Sequence, residues 1–367
     1  MWDLLVRHWG LGPIGYVLIA VAIVHQVGYV RRQRAVADRT KDSYRLRRWR
    51  AASFLGGLAA VFVALQSPID YWSDYLFWVH MIEHLLLIVV AAPLIVLGAP
   101  WLVLLRGLPV GWRRGVSRVG LRVGRTGPVA ALGRAVNRPV VAWLIFVIDF
   151  WAWHMPGPYD ATLRYPVLHY TEHITFLAFA ILFWLQVIDS QPLRSRLSYP
   201  GRIAFLAAGA VQNWILAMAL AFASGPWYAG YVHLAHRPGG ITALDDQTIG
   251  AGIMWIPGML PMALAVVLLA LRMTRREEAD DLDEALAELI ASERAKAGAE
   301  EPDGRDAGGW PRDGRDAGVW PREGRDAGGW QPDGRRPAAL PSGRQPAGRR
   351  PAVPRFGVSL APRHRLR

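Results

Sequence analysis

Seven apolar stretches, each long enough to cross a lipid bilayer, occupy most of the first 275 residues. A transmembrane helix needs about 20 predominantly apolar residues, because each residue adds about 1.5 Å across a hydrocarbon core about 30 Å thick. The stretches are 12–30, 51–67, 75–105, 139–155, 166–188, 202–223 and 249–273. The sequence therefore predicts an all-α polytopic membrane protein, a bundle of seven transmembrane helices. The third stretch is too long for one perpendicular span, so we expect it to tilt, or to break at Pro93 and continue along the membrane surface towards Trp101.

The loops between these stretches alternate in charge. Arginine and lysine concentrate in 31–50, 106–138 and 194–202, whereas the intervening loops are poor in arginine and rich in Trp, Tyr, Pro and Asp. The positive-inside rule then predicts that the N-terminus lies outside the cell and the C-terminus in the cytoplasm. The first stretch lacks a small-residue cleavage site and has its positive flank after the apolar run, so it predicts an uncleaved anchor.

Composition excludes several classes of protein. Hydrophobic residues make up 52% of the 367 residues, which is typical of a multi-span membrane protein. Because the chain has no cysteine, it has no disulfides, thiolate metal sites or cysteine nucleophiles. The net charge of +13 lies in particular loops and in the C-terminal tail. It therefore reports membrane orientation, and we expect contact with membrane lipid but none with nucleic acid.

The chain divides into three segments. The membrane domain occupies 1–275, and the acidic segment 276–298 carries leucines at helical spacing, which predicts a short cytoplasmic helix. Residues 299–367 are rich in Gly, Pro and Arg and contain a ten-residue repeat that ends in tryptophan. Such a composition cannot build a packed core, so we predict a disordered tail.

Two copies of the pattern His-x-x-Glu-His lie inside apolar stretches. Residues four apart share one face of a helix, so each copy presents two imidazoles side by side. Ionisable residues inside a membrane are costly and mark a functional site by default. The copies are His80-Met-Ile-Glu83-His84 and His169-Tyr-Thr-Glu172-His173.

The predicted orientation places both copies at a similar depth in the outer half of the membrane. Asp149 and His154 near the outer end of the fourth stretch, and Met254 in the seventh, fall close to the same level at 1.5 Å per residue. We therefore predict a metal site. Its ligands are His80, His84, His169 and His173, with Met254 and His154 as auxiliary ligands and with Glu83, Glu172 and Asp149 orienting the imidazoles.

The ligand types favour copper. Imidazole and thioether without thiolate suit Cu(I), whereas imidazole with carboxylate would also accept zinc or iron. Each glutamate could bind the metal directly or orient an imidazole, and the spacing leaves both roles open. A lone membrane histidine is often a hydrogen-bonding residue between helices, and Met254 taken alone fits core packing better than a ligand role.

Other functions fit parts of the pattern. The same five-residue motif occurs in metalloproteases, but a hydrolytic zinc site needs a third protein ligand and a glutamate placed against the bound water. Two haems held between the motifs would collide, because the histidines are one helical turn apart. A copper or zinc transporter would need polar residues through the inner half as well. Only Gln212 and Asn213, in the middle of the sixth stretch, offer a little of this.

Several motifs resemble the CtaG-type cytochrome c oxidase assembly proteins of caa-type oxidase systems. The resemblance covers about residues 50–275. Its motifs are His80-Met-Ile-Glu-His84 with Pro93-Leu and Gly98-Ala-Pro100, Trp153-His154-Met-Pro156-Gly-Pro-Tyr159-Asp160, His169-Tyr-Thr-Glu-His173 with Phe183-Trp184, and Asp246-Gln247 with Gly250, Gly252, Met254-Trp255 and Gly258. A second assembly factor that shares the same letters, a single-span copper chaperone, relies on cysteines and is excluded here.

The resemblance implies a multi-pass protein of the bacterial plasma membrane that is needed to make an active haem–copper oxidase. It implies copper delivery or storage and the oxidase subunits as partners, and it does not imply an enzyme. The copper beside the haem of such oxidases also lies within the membrane, so a donor with ligands at that depth could reach it. The resulting hypothesis is a maturation factor that hands copper to a respiratory oxidase.

Overall fold

The computed structural model describes residues 8–34, 41–123, 127–234 and 238–299. Every regular element in these residues is helical, which confirms the predicted all-α class. The chain divides at residue 300 into two units, and the first contains all the helices given below. The predicted tail lies outside the described residues, apart from its first position.

Helices α1 to α8 form the first half of the described chain. They are α1 (Pro13–Arg34), α2 (Lys41–Gln66), α3 (Pro68–Ser73), α4 (Phe77–Leu85), α5 (Ala92–Gly98), α6 (Trp101–Gly107), α7 (Val110–Val123) and α8 (Pro128–Val136). The second half contains α9 (Pro139–His154), α10 (Pro156–Arg164), α11 (Pro166–Val187), α12 (Tyr199–Ala221), α13 (Ala229–Val232) and α14 (Ala243–Ala299). Many of them begin with proline, which suits the first helical position because its missing N–H would have no partner there.

Six helical segments are long and apolar enough to cross a membrane. They are Pro13–Arg34, Arg48–Gln66, Phe77–Gly98, Pro166–Val187, Tyr199–Ala221 and the apolar part of α14. A seventh span forms if α9 is taken together with the end of α8, which meets it at a bend of 76°. The protein is therefore a multi-pass helical membrane protein with six or seven spans.

The third span does not break where the sequence predicted. Between α4 and α5 the chain stays helical through a π-helical turn, Leu86–Ala91, and continues past Pro93 without a kink. In an α-helix a proline ring clashes with the carbonyl group four residues earlier. The wider π-helical turn moves that carbonyl away, so the helix can accommodate the proline. The break comes instead at Ala99, which adopts a left-handed conformation with φ 45° and is followed by Pro100. The predicted break at Pro93 is therefore wrong.

The helix after this break, α6, packs closely on α1. A Cβ atom added to Gly28 would lie 1.9 Å from the Val103 carbonyl oxygen, and one added to Gly107 would lie 1.9 Å from that of Val24. Only glycine permits this approach of the two backbones, a contact common between membrane helices. The predicted course along the membrane surface towards Trp101, where this short helix begins, stays a prediction.

The last helix is much longer than the predicted seventh span. The segment 276–298 is helical, as predicted, but it continues α14 directly and does not form a separate short helix. Its leucines are exposed in the described chain. No turn signal separates the apolar span from the acidic segment, so the boundary between them is not marked in the sequence.

A core of aromatic and aliphatic side chains joins α4, α9, α11, α12 and α14. Helix α11 packs against the π-helical turn and α5 on one side and against α9 on the other. Helix α4 packs mainly against α14, through Phe77 and Met81 beside Gly250. The motif-bearing parts of α4 and α11 face each other across the space that their side chains fill.

Candidate metal site

The two His-x-x-Glu-His motifs meet between α4 and α11. The ring centroids of His80 and His169 are 5.0 Å apart, and those of His84 and His173 are 5.6 Å apart. Within each helix the two rings are separated by 4.4 Å and 4.2 Å, as expected for residues one turn apart. The four predicted imidazoles therefore form two pairs, one turn above the other.

Each glutamate faces the histidines of the opposite motif. The carboxylate oxygens of Glu172 lie 3.5 Å from Nε2 of His84 and 3.7 Å from Nε2 of His80. Glu83 Oε1 lies 3.5 Å from Nε2 of His173. These distances exceed those of normal hydrogen bonds, but they suit ligand atoms that share an ion between them.

The ligand atoms form two overlapping groups of four, each with all its atoms within 4.8 Å of one another. One group contains His80, Glu83, His169 and His173, and the other contains His80, His84, Glu172 and His173. His80 and His173 belong to both groups. The arrangement could hold one ion or two adjacent ions.

Burial leaves these polar atoms without hydrogen-bonding partners among the described residues. His80, Glu83 and Glu172 are 0% exposed, and both oxygens of each glutamate are unpartnered. Nε2 of His84 and Nε2 of His173 also lack a partner. So does Nε2 of His169, an atom that is buried although the residue as a whole is partly exposed. Buried polar groups are normally hydrogen-bonded, because leaving one unpaired costs about 1–3 kcal/mol. A cation within either group of four would be bound by ligand atoms that otherwise have no partner.

Hydrogen bonds on the far side of His80 fix which of its nitrogens faces the glutamate. Its Nδ1 lies 2.8 Å from the Tyr159 hydroxyl and 3.1 Å from that of Tyr231. Tyr231 donates its only proton to the Ser73 carbonyl at 2.6 Å, so it can only accept from His80. With its proton on Nδ1, His80 would donate to Tyr231 and present the lone pair of Nε2 towards Glu172; a proton donated by Tyr159 to Nδ1 would give the opposite tautomer. Metal-bound histidines are commonly held in this way.

His154 approaches the same group from the end of α9. Its Nδ1–H donates to the Phe150 carbonyl at 2.7 Å, which leaves Nε2 as an unpartnered acceptor. The ring is buried, 6.0 Å from that of His84 between centroids. His154 is thus brought beside the predicted ligands, with its lone pair available.

Two other predicted residues, Asp149 and Met254, make their contacts with groups other than the imidazoles. Asp149 accepts a hydrogen bond from Trp153 at 3.0 Å, and the same indole also donates to Thr175 of α11. Met254 is buried in the apolar core, with its carbonyl bonded to Asn213. A ligand role for Met254 and an orienting role for Asp149 remain predictions.

The sequence analysis did not identify the residues that hold the motif helices in place. Asp246 of α14 accepts the amides of Phe77 and Trp78, both at 3.0 Å, and so caps the first turn of α4 three residues before His80. Asp160 accepts the amides of Ala229 and Gly230 and so positions α13, which carries Tyr231. Both aspartates and Tyr159 occur in the motifs that suggested the family, but no periodicity marks their roles.

A further carboxyl lies on the side of Glu83 that faces α3. Asp70 and Ser73 of that helix lie beside the Glu83 side chain. Burial raises the pKa of Asp70 from 3.8 to about 6; the neighbouring charge of Asp74 acts in the same direction, and the polar contact with Glu83 opposes it. Neither aspartate was predicted to belong to the site.

The fold and this buried group define a class: a multi-pass helical membrane protein with a candidate histidine–glutamate metal site. The chain belongs to the family described as the cytochrome c oxidase caa3 assembly factor, whose family model matches residues 27–276. This confirms the resemblance inferred from the motifs.

Curated relatives come from mycobacteria. Uncharacterized proteins of Mycobacterium bovis and Mycobacterium tuberculosis are each 30% identical over 230 residues, which cover 62% of this chain and 34% of theirs. An uncharacterized protein of Mycobacterium leprae is 28% identical over 265 residues, or 72% of this chain and 39% of its own. The chain thus spans little more than a third of the length of these relatives. No solved structure matches.

Proposed function

We propose that the protein binds copper between α4 and α11 and delivers it to a haem–copper cytochrome c oxidase during assembly. Membership of an oxidase assembly factor family supports the assembly role and a function other than catalysis. The proposed ligands are His80, His84, His169 and His173, with His154 and Met254 as auxiliary ligands. The proposed partners are the oxidase subunits.

One observation carries the metal proposal: buried ligand atoms face each other across the site without hydrogen-bonding partners among the described residues. Nε2 of His80 lies 3.7 Å from the Glu172 carboxylate, and neither group has a hydrogen-bonding partner there. Unpaired buried polar atoms are costly, and a cation between them would be bound by both groups. Nε2 of His154 is a further buried acceptor without a partner, because the proton of this ring is donated to the Phe150 carbonyl.

The ligand chemistry supports copper and makes zinc the main competitor. Imidazoles bind both metals, and the carboxylates at 3.5–3.7 Å from the imidazole nitrogens broaden the site beyond Cu(I) alone. We favour copper because the oxidases that this family assembles contain it. With the N-terminus outside, as the positive-inside rule predicts, the site would lie at the depth of the oxidase's own intramembrane copper.

Contacts of the polar residues in α12 favour a copper donor over a transporter. Gln212 accepts a hydrogen bond from Trp151 at 3.0 Å, and Asn213 donates to the Met254 carbonyl at 3.0 Å. Both amides therefore serve to join helices and are not arranged as successive ligands of a path. A protease role is less compatible with Glu83 and Glu172, which are fully buried, because a hydrolytic glutamate must reach a water molecule beside the substrate.

The experiment that tests the function compares oxidase made with and without this protein. Cells that lack it would be complemented with the full chain, with His84→Ala or with His25→Ala. His25 is a buried histidine of α1 whose ring packs against Phe54, away from the site. We expect oxidase purified from the deletion and His84→Ala strains to contain less copper per haem, and oxidase from the His25→Ala strain to be normal. Full copper content and activity in the deletion strain would contradict the proposal.

A further inference from the structure

Three carboxyl groups lie in order between the protein surface and the proposed ligands. Asp74, which caps the end of α3, is exposed, and Asp70 within that helix is partly buried. Asp70 in turn lies beside Glu83, which is 0% exposed. Asp74 follows Asp70 by four residues, about one helical turn, so the two are neighbours as well. Exposure therefore falls in steps from the surface to the site.

Glu83 links this series to the imidazoles. Its Oε1 lies 3.5 Å from His173, and it belongs to one of the two groups of convergent ligand atoms. Both of its buried oxygens lack a hydrogen-bonding partner among the described residues. The side chain thus lies between Asp70 on one side and the histidines on the other. A cation bound there would satisfy its unpaired oxygens.

Local structure holds α3 in this position. Ser67 caps the helix by accepting the Ile69 amide at 3.1 Å, and Pro68 occupies its first position. Ser73 donates to the Asp70 carbonyl at 2.7 Å, while its own carbonyl accepts from Tyr231, the tyrosine that contacts His80. The acidic helix and the site are therefore connected through the same hydrogen bonds.

We propose that Asp74, Asp70 and Glu83 form the entry path by which a metal cation reaches the four imidazoles. This inference rests on the metal site proposed above. A hydrated cation must exchange its waters for protein oxygens before it can enter a buried site, because an unpaired charge is costly there. Carboxylates in succession provide oxygens at each step, and their negative charge concentrates cations at the entrance.

The test measures how fast the purified full-length protein takes up buffered Cu(I) without oxygen. The variants are Asp70→Asn, Asp74→Asn and the double variant. The matched control is Asp245→Asn, which removes an exposed carboxylate that caps α14 through Thr242 and leaves the path untouched. An asparagine retains the capping oxygen.

We expect the double variant to load copper about 10-fold more slowly, within the range of electrostatic effects on association. Because Asp70 and Asp74 do not belong to either group of ligand atoms, the equilibrium occupancy should stay within about two-fold of the unmodified protein, and Asp70→Glu should restore the rate. Asp245→Asn should load at the normal rate. Asp74→Asn changes an exposed position and keeps the test informative if Asp70→Asn misfolds.

Other results would overturn the path. Normal loading in the double variant would exclude it while leaving the metal site intact, and slow loading in His233→Ala alone would place the entrance at the exposed loop after α13. A loss of equilibrium affinity at an unchanged loading rate would make Asp70 a ligand and not a path residue. No copper bound by the unmodified protein would overturn both the path and the site.

Discussion

Each glutamate of one motif faces histidines of the other motif, so neither motif forms a site by itself. Glu172 on α11 approaches both histidines of α4, and Glu83 on α4 approaches His173 of α11. This crossed pairing explains why the glutamate is needed in both copies of the pattern. A glutamate whose role was only to orient the histidines of the same motif would not need to point across the gap towards the other helix.

Replacing Glu172 by glutamine should separate the demands of folding from those of metal binding. The amide nitrogen of a glutamine would replace one of the two carboxylate oxygens, so it can donate to Nε2 of His80 or of His84 and satisfy one buried lone pair without a cation. We expect Glu172→Gln to unfold at the same or a higher temperature than the metal-free unmodified protein, and to bind copper at least about 10-fold more weakly. Unchanged copper affinity with loss of a proteolytic activity would instead support the protease alternative.

The hydroxyl of Tyr159 should tune the metal site through His80. Tyr159→Phe keeps the stacking of its ring on Tyr228 but removes the hydrogen bond to Nδ1 of His80. Because such bonds orient metal-bound imidazoles, we expect a loss of about 10-fold in copper affinity with little change in thermal stability. The measurement is a competition titration against a copper chelator, with Tyr228→Phe as the control. Equal affinities in Tyr159→Phe and the unmodified protein would contradict this role.

At this scale the sequence predicted that the four histidines converge but not which residues support them. Helical spacing alone put the histidines of each motif on one face, and the matching depths put the two motifs together. By contrast, Tyr159 and Tyr231 are separated from His80 by 79 and 151 residues, and no periodicity marks either of them. Contacts of that range depend on how the loops fold back, which periodicity does not determine.

Helices α11 and α12 are joined at the end of the bundle away from the site by one partly buried ion pair. Arg202 makes two hydrogen bonds of 3.0 Å and 3.1 Å to Asp189 and also donates to the Val187 carbonyl that ends α11. Burial disfavours the charged form of Asp189 and so acts to raise its pKa. The hydrogen bonds from Arg202 and from the Ser195 amide, together with the positive charge of Arg202, favour the charged form and outweigh burial. The pKa of Asp189 therefore lies below its ordinary value of 3.8.

This pair should contribute stability that depends on pH. A carboxyl group with a lowered pKa stabilises the fold while it is ionised, so its contribution is complete above about pH 4 and disappears as the pH falls through the folded value. Asp189 is about half exposed, so we expect Asp189→Asn to cost no more than about 1 kcal/mol near pH 7. Thermal unfolding of both proteins from pH 7 to pH 3 should converge at the acid end. A constant difference over that range would contradict the assignment.

The contact between α1 and α6 depends on two glycines. Gly28→Ala would place a methyl group 1.9 Å from the Val103 carbonyl oxygen, which belongs to the backbone and cannot rotate away. We expect a loss of roughly 1–3 kcal/mol of stability, the range for overpacked positions. Gly115→Ala in α7 meets no atom within 4 Å and should be neutral or slightly stabilising. Equal thermal stability of both variants would mean that the two backbones are not in contact.

Sequence reasoning located the spans but not the irregular turns between them. Proline suggested a break at Pro93 because a proline normally interrupts an α-helix. The π-helical turn before it allows the span to continue, and a wider turn leaves no recognisable mark in an apolar sequence such as Leu86–Ala91. The left-handed residue at Ala99, which does end the span, is likewise not a glycine.

In the whole molecule, the family match and the described helices end before the C-terminal segment. The family model stops at residue 276, and the helical unit ends at residue 300. The site, its supporting tyrosines and the proposed entry path all lie within this unit. We therefore expect a chain shortened to 1–300 to bind copper and to restore the copper content of the oxidase in a deletion strain. Normal copper binding without restored oxidase would assign delivery to the repeat-containing segment.

The most direct test of the central claim is the copper content of the purified protein after anaerobic incubation with Cu(I). The unmodified chain would be compared with His84→Ala, His173→Ala and the distant control His25→Ala, and zinc would be measured in the same samples. We expect one or two copper ions per chain in the unmodified protein and the control, and a clear loss in both motif variants. Equal copper in all four proteins, or zinc alone, would contradict a copper site between the two motifs.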